Sequence, residues 1–226
     1  MNLTLIGLKK DSSESASLQH LVFYPSESRT SYPTIVALHG RGADYSDLPP
    51  LIEALNISGL LVIAPRAPYK FMNGGFAWYV LQDEGIPSSE SFIPSLNRLR
   101  KFLKEIMEIY PVDDRRVFLL GFSQGAIMAY AAGLQEHKAF RGIVALSGYI
   151  PTRSGLSLEL KDLSGLAVFI SHGTDDGLIP VRDGREAAKI LTQARADVLY
   201  REYAMGHQII DETIGDLAKW MAARLT

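Results

Sequence analysis

Arg116-Val117-Phe118-Leu119-Leu120-Gly121-Phe122-Ser123-Gln124-Gly125-Ala126-Ile127-Met128-Ala129 is the stretch that decides the fold. A continuously apolar run ends in Gly-Phe-Ser-Gln-Gly and passes directly into small and apolar residues as far as Leu134. The first part has the composition of a strand covered on both faces, the second that of a helix buried on both sides. A turn from strand to helix presents the Ser123 hydroxyl sharply, and glycines at 121 and 125 keep Cβ atoms out of a crowded bend. Alone, Gly-x-Ser-x-Gly arises by chance in roughly one in ten chains of this length. Its meaning depends on what surrounds it.

Outward from this turn, short apolar or β-branched runs recur at 3–8, 19–24, 34–38, 60–64, 117–120, 142–146, 167–171 and 198–203. The runs at 34–38 and 60–64 are continuously apolar. The first two alternate with polar residues and suit an antiparallel edge. Leu96, Leu99, Leu103, Ile106 and Tyr110 recur at helical spacing until Pro111 stops them. Further helices are expected at 123–134, 181–194 and 208–224. An antiparallel start followed by alternating strands and helices predicts an α/β protein: a mostly parallel central sheet of about eight strands with helices on both faces. In such sheets ligands collect at the carboxyl ends of the strands.

Composition narrows the function. The formal net charge is −2, with lysines and arginines scattered, which argues against nucleic acid as a partner. The absence of cysteine excludes disulfides, thiolate metal sites and a cysteine nucleophile. No Pro/Ser-rich linker or repeat divides residues 1–226, so a single domain is expected. The N-terminus lacks a basic leader and an apolar run long enough for a signal or a span, so a cytoplasmic protein without integral membrane association is expected.

Three strand ends carry the chemistry. The run 34–38 leads into His39-Gly40-Arg41-Gly42-Ala43-Asp44, a glycine-flanked turn whose amides suit a developing oxyanion. The expected donors are the backbone N–H groups of Arg41 and of Gln124, with His39 as an orienting or packing residue. The run 167–171 leads into His172-Gly173-Thr174-Asp175-Asp176-Gly177-Leu178-Ile179-Pro180, where either aspartate could hold an imidazole in its productive tautomer. The last strand is followed by Gly206-His207. The chain order is thus serine, acid, histidine, as in the α/β-hydrolases. Residues 65–94 show no helical pattern and hold Phe71, Phe76 and Trp78 near Gly74-Gly75. These three, with Leu178, are expected to bind substrate, Trp78 nearest the scissile group under a loop that covers the site, the alternative being that the aromatics form a satellite core beneath that loop. No His-Glu-x-x-His or other compact ligand spacing suggests a metal, and His20 and His137 are expected at the surface.

Leu38-His39-Gly40-Arg41-Gly42, Ala64-Pro65-Arg66-Ala67-Pro68, Gly121-Phe122-Ser123-Gln124-Gly125, His172-Gly173-Thr174-Asp175-Asp176 and Gly206-His207 together resemble the phospholipase/carboxylesterase family of α/β-hydrolases. That group includes acyl-protein thioesterases and small bacterial carboxylesterases. The resemblance spans most of the chain and implies an α/β-hydrolase fold with a triad of Ser123, Asp176 and His207, Asp175 being a turn residue. It implies a serine esterase that forms an acyl-enzyme on small or medium-chain esters, thioesters or lysophospholipids, with no cofactor. Arg41 and the Ala43 before Asp44 depart from the thioesterase branch and favour small esters. The alternatives are a non-catalytic ligand-binding protein, or a peptidase or perhydrolase on the same scaffold. The sequence leaves open whether the chain forms a homodimer.

Overall fold

A computed structural model describes residues 8–9, 16–82, 86–152, 154–158, 160 and 162–225. Among these residues the main sheet has eight strands: β1 (Leu8–Lys9), β2 (His20–Phe23), β3 (Tyr32–Leu38), β4 (Leu61–Pro65), β7 (Val112–Phe122), β8 (Gly142–Leu146), β9 (Ala167–Gly173) and β10 (Asp197–Tyr203). They lie in the order β1-β2-β4-β3-β7-β8-β9-β10. The β1–β2 and β2–β4 pairs are antiparallel and the rest parallel, as the alternating N-terminal runs and the apolar later ones predict. The strand expected at 3–8 lies outside the described residues except for its last residue, which opens β1.

Strand periodicity sorts the core into two layers. Val36, Leu38, Val117, Leu119, Ile143, Ala145, Val168 and Ile170 pack under α2 (Ser89–Ile109), α3 (Gln124–Gln135) and α4 (Val181–Gln193). Their neighbours Ile35, Ala37, Phe118, Leu120, Val144, Leu146, Ala167 and Phe169 face α1 (Pro49–Ala54) and α5 (Asp211–Leu225). Each fully buried aliphatic or aromatic side chain contributes about 1.5–3 kcal/mol of transfer free energy, so burial on both faces dominates cohesion. Helix α3 is buried at every position but its last. Its alanines and glycines let it lie close on the sheet; a Cβ at Gly133 would come within 2.6 Å of Ile143 Cδ1. Among the described residues no helix is long and apolar enough to cross a membrane.

Two expectations need correction here. The segment 65–94 is not a structureless loop. It holds a hairpin of β5 (Tyr69–Lys70) and β6 (Phe76–Ala77), and α2 already begins at Ser89. Pro94 lies inside α2 rather than before it. The carbonyl that its missing N–H leaves unpaired is that of exposed Glu90, where solvent replaces the lost bond, while buried Phe92 anchors the first turn. His20 is not at the surface. It is buried, with its ring against Phe102 and its Nε2 2.6 Å from the Tyr110 hydroxyl, because β2 runs beneath the C-terminal end of α2.

Candidate active site

Ser123 occupies the turn between β7 and α3 with φ 54° and ψ −119°, a conformation that costs a residue with a side chain about 1–3 kcal/mol. The surrounding glycines make it sterically feasible. A Cβ at Gly125 would stand 1.8 Å from the Leu38 carbonyl oxygen, and one at Gly121 2.3 Å from the backbone of Gly125. The bend is thus wedged between two strand ends, and the Ser123 N–H is tied to the Leu146 carbonyl at 3.0 Å.

The acid and the histidine come from the carboxyl ends of β9 and β10, beyond β8 in the sheet. After β9 the chain is fastened to the exit of β10: Thr174 N–H donates to Tyr203 O (2.9 Å) and Asp175 N–H to Met205 O (3.1 Å). The Asp176 carboxylate is enclosed by this turn. Its Oδ1 accepts the N–H groups of Leu178 and Ile179, each at 2.9 Å, and its Oδ2 accepts His207 Nδ1–H at 2.7 Å. Burial alone would push this carboxyl up. The Ile179 amide, the His207 imidazole and the Leu178 amide outweigh burial and hold it below the ordinary carboxylate range. Asp175 is exposed, and among the described residues its carboxylate accepts only from its neighbour Thr174. The His207 ring packs 4.9 Å from the Phe122 ring, centroid to centroid, beside the residue that precedes Ser123.

The third strand end holds Arg41. Gly42 N–H donates to Phe76 O (2.8 Å) and Phe76 N–H to Ala43 O (2.9 Å), so β6 pins the turn from outside. From inside, His39 is fully buried. Its Nε2 accepts Ala67 N–H at 3.0 Å, which leaves the proton on Nδ1 to donate to Gly40 O at 2.8 Å. Among the described residues no acceptor takes the amide hydrogens of Arg41 or Gln124. Both remain available to a ligand oxygen.

Burial lowers the His39 pKa, outweighing the Gly40 hydrogen bond and the Asp44 and Asp47 carboxylates. The unfolded chain therefore binds a proton that the folded chain refuses, and stability falls as pH drops below the ordinary 6.5. Urea titrations between about pH 7 and 5 should show this fall weakened in His39→Gln, by up to about 1.4 kcal/mol per pH unit. Identical slopes in the two proteins would contradict it.

A cleft of about 910 Å³ opens over Ser123, with Tyr79, Leu81, Ile127, Ile150, Leu178 and Ile190 among its walls and Arg41 at its edge. Leu178 is 72 % exposed there, a large apolar side chain left facing the opening. The three expected aromatics sit elsewhere. Trp78 is completely buried, its Nε1–H donating to His39 O at 2.9 Å, so it braces the Arg41 turn and does not face the cleft. Phe76 packs 4.4 Å from the guanidinium of Arg66, itself bidentate to Asp44. Phe71 lies under the Arg41 guanidinium at 5.4 Å. The cleft's aromatic lining comes from Tyr79, the residue after Trp78, and from Tyr149. The Gln124 side chain also has a function that its motif position does not reveal. Its Oε1 accepts Trp78 N–H and its Nε2 donates to Tyr79 O, both at 3.0 Å, clamping the cleft wall to the first residue of α3. No three His, Asp or Glu side chains converge as a metal site among the described residues.

A family model described as Phospholipase/Carboxylesterase matches residues 22–225. The chain belongs to the phospholipase/carboxylesterase family. As a member it is a hydrolase on the α/β-hydrolase fold. The chain is similar to acyl-protein thioesterase 1 of Cryptococcus neoformans, at 26 % identity over 92 % of this chain and 98 % of that one. It is 28 % identical to the carboxylesterase SOBER1 of Arabidopsis thaliana, over 76 % of this chain and 79 % of the other. The crystal structure of the Bacillus cereus carboxylesterase superimposes with a TM-score of 0.84 at 28 % identity, covering 95 % of this chain and 97 % of that one.

Proposed function

We propose that this family member is a serine carboxylesterase that cleaves small or medium-chain acyl esters through an acyl-enzyme on Ser123. The observation that carries this reading is the His207–Asp176 hydrogen bond of 2.7 Å, set beside Phe122 at the same sheet end as the Ser123 turn. With Nδ1–H committed to Asp176, His207 Nε2 is left as the lone-pair nitrogen for the serine proton. Ser123 Oγ attacks the ester carbonyl while Nε2 takes its proton, and the carbonyl oxygen becomes an oxyanion facing the amides of Arg41 and Gln124. The protonated imidazole then gives that proton to the departing alcohol. Water, deprotonated in turn by His207, attacks the acyl group, and collapse of the second oxyanion frees the acid and restores Ser123 Oγ–H.

The cleft lining is mixed: Leu81, Ile127, Ile150, Leu178 and Ile190 offer an acyl chain apolar contact, and the charged Arg41, Arg182, Asp183 and Glu186 line it as well. The test is a series of p-nitrophenyl esters from acetyl to decanoyl. Leu178→Ala should raise KM for the longest esters by about 3- to 10-fold and leave the acetyl ester unchanged, since each buried methylene is worth about 0.8 kcal/mol. Trp78→Phe, which removes the bond to His39 O, should lower kcat by a similar factor across the series. No hydrolysis of any member by the unmodified protein would overturn the proposal.

A further inference from the structure

The fully buried His172 is used by none of the steps above, yet it adjoins the acid. It is the penultimate residue of β9, four residues before Asp176, and its Nε2–H donates to the Ile179 carbonyl at 2.8 Å. The same nitrogen lies 3.5 Å from Asp176 Oδ2, so the positive end of the N–H dipole faces the carboxylate oxygen that receives His207. Its Nδ1 has no hydrogen-bond partner among the described residues and rests on α4 at Gly184, where a Cβ would come within 2.7 Å of it. The ring is therefore held between α4 and the acid turn, with one hydrogen bond among the described residues and a single workable tautomer.

We propose that His172 is a positioning residue for the acid: by holding the Ile179 carbonyl it fixes the turn whose Leu178 and Ile179 amides grip Asp176. The geometric chain is short. Ile179 contributes its N–H to Asp176 Oδ1 and its carbonyl to His172 Nε2, so one residue is held from both ends. Without the second anchor the 176–180 turn is free to rotate about Ile179, and Oδ2 loses its fixed distance from His207 Nδ1. Gly184 serves the same arrangement by leaving room for the ring. That this turn matters to turnover rests on the proposed triad; that His172 sets its geometry does not.

The test compares His172→Gln, whose amide nitrogen reaches the place of Nε2, with His172→Leu, which offers no donor. His172→Leu should lower kcat for p-nitrophenyl butyrate by about 10- to 100-fold with KM little changed, the scale of a misplacement of about 1 Å. His172→Gln should restore kcat to within about threefold of the parent. The low-field proton resonance of His207 Nδ1–H should be sharp in the parent and in His172→Gln, and broadened or lost in His172→Leu. If His172→Leu does not fold, Gly184→Ala serves in its place, since its methyl displaces the same ring while favouring the helix; it should lose the resonance and kcat together. An unchanged resonance in either disruptive variant would overturn the proposal, as would a His172→Gln resonance lost as fully as in His172→Leu. The resonance reads the geometry even if Ser123 is not the acyl acceptor, so failure of the two proposals is distinguishable.

Discussion

Ser123→Ala should lower kcat for p-nitrophenyl butyrate by about 10⁶-fold, or roughly 8 kcal/mol at 1.36 kcal/mol per decade. Alanine keeps the Cβ, so the turn at φ 54° is neither relieved nor further strained, and melting temperature should not change. The loss is therefore chemical and not a consequence of unfolding. His207→Ala should cost about as much, and the double variant scarcely more, because a nucleophile without its base is already disabled. The residual rate, about 10³–10⁴ above water, would come from the Arg41 and Gln124 amides and from binding. Initial rates beside a thermal melt decide it. A loss below tenfold would mean that hydrolysis proceeds without this hydroxyl.

Asp176→Asn is the second large effect, and it acts through a tautomer. Oδ1 already receives two backbone N–H groups, so the oxygen of an asparagine would take that position and its amide nitrogen would face His207. A donor there forces Nδ1 to accept, moves the ring proton to Nε2 and removes the lone pair needed for the serine proton. A fall in kcat of about 10⁴-fold is expected, with KM little altered. The same substitution should change the acid limb of stability. The Asp176 pKa is lowered in the folded chain, so its contribution is present above the ordinary 3.8 and lost as pH falls through the lower folded value. Urea titrations from about pH 5 downward should show a shallower decline in Asp176→Asn than in the parent.

Much of this arrangement is legible in local sequence because the determinants are local. Continuous apolar runs mark strands covered on both faces, and each candidate motif directly follows such a run, which places it at a carboxyl strand end. Gly121 and Gly125 are explained by contacts within the turn and with the next strand. Other residues depend on distant partners. The richness of 65–94 in aromatics is plain, but Trp78 is directed inward by a carbonyl 39 residues earlier and by Gln124, 46 residues later. His20 is buried because Tyr110, 90 residues on, returns above it. Pro94 carries an ordinary stop signal, overridden because the lost hydrogen bond faces solvent. The part played by His172 is visible only once the Ile179 carbonyl is seen to turn back toward β9.

The most direct test of Ser123 as the acyl acceptor is mass spectrometry of the protein reacted with a fluorophosphonate and digested. The expected result is one adduct, on the peptide carrying Gly121-Phe122-Ser123-Gln124-Gly125, absent from Ser123→Ala and slowed by orders of magnitude in His207→Ala. An unmodified Ser123 in protein that hydrolyses esters, or an adduct that persists in Ser123→Ala, would contradict it.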